Sequence, residues 1–182
     1  MLRKVTNKKG DSKLMDGIGK SFYYTIDGNA STPVVDAKAF LEMDGKFGSK
    51  GSKTNWKNQG PRFPVDQIFN VQKVGFIYKL STGAAVTPAI LSKLTLGNFQ
   101  LSIADREIAG GSLAEFFDSA VTVATSTSQP QPVRAFQPLF IDGGEWIEDE
   151  NFDFNVNLPI LEANAELVVV MKGILYKPQQ IA

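Results

Sequence analysis

Phe152, Phe154, Val156 and Leu158 alternate with Asp153, Asn155 and Asn157. A period of two puts the apolar side chains on one face of a strand and the polar ones on the other, whereas a helix would scatter them. Phe99, Leu101 and Ile103 repeat the pattern against Asn98, Gln100 and Ser102. Both segments therefore read as strands with one buried face. The composition agrees: the 182 residues include 13 Phe, with many Val and Ile, and 16 Gly and 9 Pro supply turns.

Other segments extend this reading. FYYTI (22–26) is a first strand, closed by the Asp27-Gly28-Asn29 turn. Residues 34–43 form a second apolar segment that reads as strand, though AKAFLEM also tolerates a helix. VQKVGFIYKL (71–80) reads as a buried strand. Thr87-Pro88 resembles the N-cap and first residue of a short helix carrying Ile90, Leu91 and Leu94. Ala104-Asp105-Arg106 turns the chain back into 107–109, and Gly110-Gly111 is expected to end that strand. Ser112 and Glu115 match a capping box, followed by Leu113, Phe116, Phe117 and Ala120 at helical spacing. Residues 125–133 form an irregular linker. Phe136 to Ile141 reads as a strand ending at Asp142-Gly143-Gly144, and Trp146-Ile147 begins the return. LVVVM (167–171), continued by GILY, is apolar on both faces, as a strand inside a layered fold must be.

About seven to nine strands, short helices and no alternation of strand with helix predict an all-β, antiparallel β-sandwich of jelly-roll type. Residues 1–20 read as a basic, extended N-terminal arm that is ordered only where something holds it. Residues 21–182 read as one sandwich domain, with a long Lys/Gly-rich loop at 44–64. No apolar run reaches the length of a membrane span, and the N-terminal residues lack an apolar signal region.

The chain has no His and no Cys. That removes Ser-His-Asp and Cys-His nucleophiles, thiolate metal sites and disulfides. Carboxylate chemistry stays open, but no second group is identifiable as acid, base or nucleophile. The expectation is no enzyme and no cofactor. The acidic cluster Asp142, Glu145, Glu148, Asp149, Glu150 and Asp153 lacks the spacing of a calcium loop. It reads as a solvated hairpin end or as a salt-bridge partner for a neighbouring subunit.

Net charge is zero, but it is unevenly spread. Residues 1–62 hold 12 Lys/Arg against 6 Asp/Glu, and residues 63–182 hold 7 against 13. Such asymmetry suits a polyanionic partner or subunits meeting head to tail. The candidate contact residues are Arg3, Lys4, Lys8, Lys9 and Lys13 in the arm. Lys46, Lys50, Lys53, Lys57 and Arg62 join them from the loop, with Trp56 placed to stack on a base or an interface.

The order of elements from Leu96 to Tyr176 resembles the second half of single jelly-roll structural proteins of bacteriophages and related viruses. NFQLSI turns through ADRE, SLAEFF forms a helix, a Pro- and Ser-rich crossing leads to PLFIDGG, and NFDFNVNL runs into ELVVVMKGI. The basic N-terminal segment also resembles the arms of coat proteins. The resemblance implies a virion structural protein, a coat or minor capsid subunit made in a host cytoplasm. Its partners would be other copies of itself, other virion proteins and genome phosphates. The alternative is a carbohydrate-binding sandwich of a larger complex, which needs exposed aromatics such as Trp56, Trp146 and Tyr176.

Overall fold

A computed structural model describes residues 2–6, 10, 12–28, 35–40, 53–56, 58, 60–80, 82–83, 86–117, 133–138 and 145–178, and among them the chain forms ten strands and one helix of seven residues. The strands are β1 (Leu2–Thr6), β2 (Ser12–Asp27), β3 (Val35–Ala39), β4 (Ile68–Leu80), β5 (Asn98–Ile103), β6 (Arg106–Ser112), β7 (Val133–Pro138), β8 (Glu145–Ile147), β9 (Phe152–Leu158) and β10 (Ala165–Pro178). Helix α1 (Pro88–Leu94) lies between β4 and β5, with Thr87 as its N-cap and Pro88 in its first turn. A second helical turn spans 114–117, and the Ser112 hydroxyl accepts a 3.1 Å hydrogen bond from the Ala114 N–H at its start.

All pairing is antiparallel. One sheet runs β1-β2-β10-β4-β7, with β8 also paired to β4, and the other runs β3-β9-β5-β6. Four of the pairs are nested: β2 with β10, β3 with β9, β4 with β7, and β5 with β6. The two sheets share one core. Phe76 of β4 meets Phe99 of β5 at 5.5 Å and Phe154 of β9 at 6.2 Å between ring centroids, closing the layers face to face. β9 follows its sequence period, burying Phe152, Phe154, Val156 and Leu158.

Several boundaries differ from the sequence expectation. β6 continues through Gly110 and Gly111 to Ser112, because β5 supplies a complete ladder opposite them. β7 begins at Val133, within the expected linker. The Asp142-Gly143-Gly144 turn lies outside the described residues. A bulge at Lys172/Gly173 offsets β10 against β4. A Cβ at position 173 would overlap the Asn70 carbonyl, so only glycine fits there.

The largest difference is at the N-terminus. The described residues 2–6 and 12–20 of the expected arm are extended and held in a sheet. β1 pairs with the start of β2, and β2 pairs with β10 from Met15↔Pro178 to Asp27↔Glu166. What holds the segment is the C-terminal strand of its own chain.

Candidate assembly surfaces

The register of β2 on β10 defines the two faces of the N-terminal hairpin. Phe22 lies opposite Met171 in the core, so Leu14, Asp16, Ile18 and Lys20 continue the core-side face toward the hairpin end. Lys4 joins that face opposite Leu14. The other face carries a second apolar cluster of Val5, Met15, Ile68 and Tyr176, with Trp146 and Ile174 packed against it. Tyr176 and Trp146 stack at 5.4 Å, and the Tyr176 ring occupies the space that a side chain at Gly17 would need.

The hairpin is thus braced on its outer side and open on its core side. β4 starts at Ile68, opposite Tyr176, whereas β2 and β10 run on beyond that level. On that face Leu14 and Ile18 are 53% and 51% exposed. Lys4 and Lys20 are exposed beside them, and Arg3 and Lys13 are exposed on the other face. Lys20 lies 5.9 Å from the Phe22 ring centroid, and none of these four cations forms an ion pair with a described residue.

The second basic segment is built differently. Lys53 to Asn55 lie along the open edge of β2: the Thr25 N–H donates to the Lys53 carbonyl at 2.8 Å, and the Tyr23 N–H donates to Asn55 Oδ1 at 2.8 Å. The Thr54 hydroxyl donates to the Tyr23 carbonyl at 2.7 Å. That anchoring drives Trp56 into the core at 0% exposure, edge-on to Phe22, Phe40, Phe63 and Phe152 at 5.0–5.7 Å. Its indole N–H donates to the Gly60 carbonyl at 2.9 Å. The expectation that Trp56 stacks on a base or a partner is therefore corrected: its whole surface is spent inside its own domain.

The described cations of this loop are also engaged. Lys53 Nζ binds Asp27 at 2.8 Å and Glu166 at 2.7 Å, and Lys79 also binds Glu166. Burial opposes the charge on Lys53, but the hydrogen bonds from Asp27 and Glu166 outweigh it and raise its pKa. Burial likewise opposes the Glu166 carboxylate, and the Lys53 and Lys79 hydrogen bonds outweigh it and lower its pKa. Arg62 Nε donates to Asp149 Oδ1 at 2.9 Å, and Nη2 donates to the Asp149 carbonyl at 3.2 Å. Of the predicted contact residues, Arg3, Lys4 and Lys13 lie together on the hairpin. Lys53, Trp56 and Arg62 serve the fold, while Lys8, Lys9, Lys46, Lys50 and Lys57 lie outside the described residues.

The acidic segment lies at the same end of the molecule as the hairpin. The Phe152 N–H donates to the Pro61 carbonyl, and Phe63 stacks on both Phe69 and Phe152, which sets the start of β9 beside the start of β4. The Ala104 N–H donates to the Asn151 carbonyl, bringing the β5–β6 turn alongside. A depression of about 240 Å³ there is lined by Ser102, Ala104, Asp105, Glu150, Asn151 and Asp153. Asp149 is held by Arg62, and Asp153 lies 3.5 Å from Lys38. Asp66 and Asp105 are exposed, and Val65 beside Asp66 is 78% exposed. Composition alone did not single out Leu14, Ile18 or Val65 as exposed.

The aromatics suggested for sugar binding do not form a platform. Trp56 is in the core, Tyr176 is buried, and Trp146 is half-buried against Tyr176. Among the described residues no helix is long and apolar enough to cross a membrane. No protein-family model matches the chain, and no curated protein matches it.

Proposed function

We propose that this chain is a virion structural protein, a coat or minor capsid subunit whose sandwich is a jelly roll. The observation that carries the reading is the nesting of four strand pairs, β2 with β10 outermost, then β3 with β9, β4 with β7 and β5 with β6. Rolling one long hairpin on itself yields that order, which two interlocked Greek keys share. The function proposed is mechanical: two rigid faces, a braced basic hairpin and an acidic end set the register between copies through many weak contacts. No residue carries chemistry in this reading. Exposed hairpin cations without an ion pair to a described residue also suit contact with genome phosphates at the inner side of a shell.

The test is assembly of the purified protein, followed by native mass measurement and electron microscopy across protein and salt concentrations. Large, salt-sensitive assemblies are expected. Removal of residues 1–11 deletes β1 while sparing the β2·β10 ladder, and should leave a folded domain that no longer assembles. A monomer at every concentration, or normal assembly of the truncated chain, overturns the reading.

A further inference from the structure

We infer that the end of the molecule bearing the hairpin is a two-fold interface with a second copy of this chain. The inference rests on the self-assembling reading above and names the surface and partner that serve it. Three observations converge. The core-side face of the hairpin presents Leu14 and Ile18, each about half exposed, among Lys4, Asp16 and Lys20, so its rim is net positive. The same end carries the exposed Val65 beside the exposed Asp66, and an acid-lined depression of about 240 Å³ that includes the exposed Asp105. Both surfaces lie at one end of the sandwich, level with the start of β4.

An apolar centre with a basic rim asks for an apolar centre with an acidic rim, which a phosphate backbone does not offer. This chain carries that counterpart next to the first surface. A two-fold axis through this end lays the basic ledge of each copy on the acidic surface of the other, so each contact is made twice. The competing arrangement, in which two free β1 edges pair, sets Arg3 and Lys4 of one copy against those of the other and is opposed by like-charge repulsion.

The design admits a charge-swap test. One variant carries Lys4→Glu and Lys20→Glu. The other carries Asp66→Lys and Asp105→Asn, the asparagine keeping the left-handed backbone at φ 63°. All four positions are exposed, and unchanged circular dichroism and melting confirm the fold. Sedimentation of the wild-type protein should show a dimer as the smallest associating unit. Each variant alone should weaken that dimer by at least about tenfold, because each change enters the contact twice. An equimolar mixture should restore a dimer of one copy of each. Leu14→Ser with Ile18→Ser should weaken the wild-type dimer without changing its salt dependence.

A wild-type protein that stays monomeric overturns both the assembly reading and this interface. A wild-type protein that assembles while the Lys4/Lys20 variant assembles equally well overturns the interface alone. Two weakened variants whose mixture does not dimerise overturn the two-fold pairing. An open series of alternating copies in that mixture replaces the two-fold axis with a head-to-tail contact.

Discussion

Two lysine-bearing segments look alike in composition and are opposites in structure. In the first, Lys53 and Arg62 bind Asp27, Glu166 and Asp149, and Trp56 is buried. The β1–β2 hairpin keeps Arg3, Lys4, Lys13 and Lys20 without ion pairs to described residues and leaves two apolar side chains in solvent. The first segment works as a staple. It caps the free edge of β2 and plugs the core, both of which a sandwich needs. The second is stiffened by its outer cluster, yet presents a surface that stabilises nothing in its own chain. Charge count does not separate such segments. What separates them is whether each cation finds a carboxylate in the same fold.

The sharpest way to break this contrast is to cut it. Deleting residues 1–20 removes six ladder positions between β2 and β10 and takes Val5 and Met15 from the outer cluster. Buried Met and several hydrogen bonds together amount to roughly 5 kcal/mol or more, comparable to the whole stability of a domain. That chain should fail to fold, whereas deletion of 1–11 should cost only about 2 kcal/mol, chiefly the burial of Val5. Urea titration with circular dichroism measures both. Equal behaviour of the two truncations would mean that the β2·β10 ladder beyond Lys20 contributes little.

Next in size is Trp56→Ala. It empties the centre of a five-ring cluster and removes one of the two donors to the Gly60 carbonyl, so it should cost about 3–5 kcal/mol. Leu14→Ala on the hairpin should cost under about 0.5 kcal/mol, because that side chain is already half in water. The same denaturation experiment reads both. If they prove equal, the distinction between staple and ledge is lost.

The strands were legible where one period ruled. β5 and β9 alternate without interruption, and Thr87-Pro88 marks the start of α1 as its residue types require. The N-terminal half of β2 was not legible. SKLMDGIGK has two glycines, no unbroken alternation and high charge, and becomes a strand only because β10 offers it a ladder. Gly110-Gly111 misled for the same reason: a local breaker yields when a neighbouring strand is already in place. The fate of Trp56 was not legible, because it depended on Thr54 and Asn55 bonding Tyr23 of β2, about thirty residues earlier in the chain. No local pattern carries that information. The exposure of Leu14, Ile18 and Val65 was likewise invisible, since exposure depends on which other elements cover a side chain.

A pH profile sharpens the comparison at smaller amplitude. Glu166 has its pKa lowered, burial opposing and the Lys53 and Lys79 hydrogen bonds winning. Its stabilisation is therefore present above the ordinary glutamate range and is lost as pH falls through the lowered value. Glu166→Gln should cost about 1 kcal/mol at neutral pH and nothing in strong acid. Tyr78 gives the alkaline counterpart. Burial, helped by the nearby Glu162 charge, pushes its phenol up to about 12, and its hydroxyl has no hydrogen-bond partner among the described residues. The folded state holds that proton while the unfolded chain releases it, so stability falls between about pH 10 and 12. Tyr78→Phe should remove that fall and leave neutral-pH stability unchanged or slightly higher, because it deletes an unsatisfied polar atom.

The smallest effect is also the most pointed. Arg62→Gln breaks a half-exposed ion pair to Asp149 and should cost at most about 0.5–1 kcal/mol, with the loss shrinking as salt is added. Lys13→Gln breaks no pair with a described residue, and should leave stability unchanged or raise it slightly by relieving repulsion from Arg3 and Lys4. Two neutralisations of one positive charge would then differ in sign or in salt response. Thermal melts at low and high ionic strength resolve the difference. If Lys13→Gln destabilises the isolated subunit as much as Arg62→Gln does, the hairpin cations serve the fold after all, and they are not held in reserve for a partner.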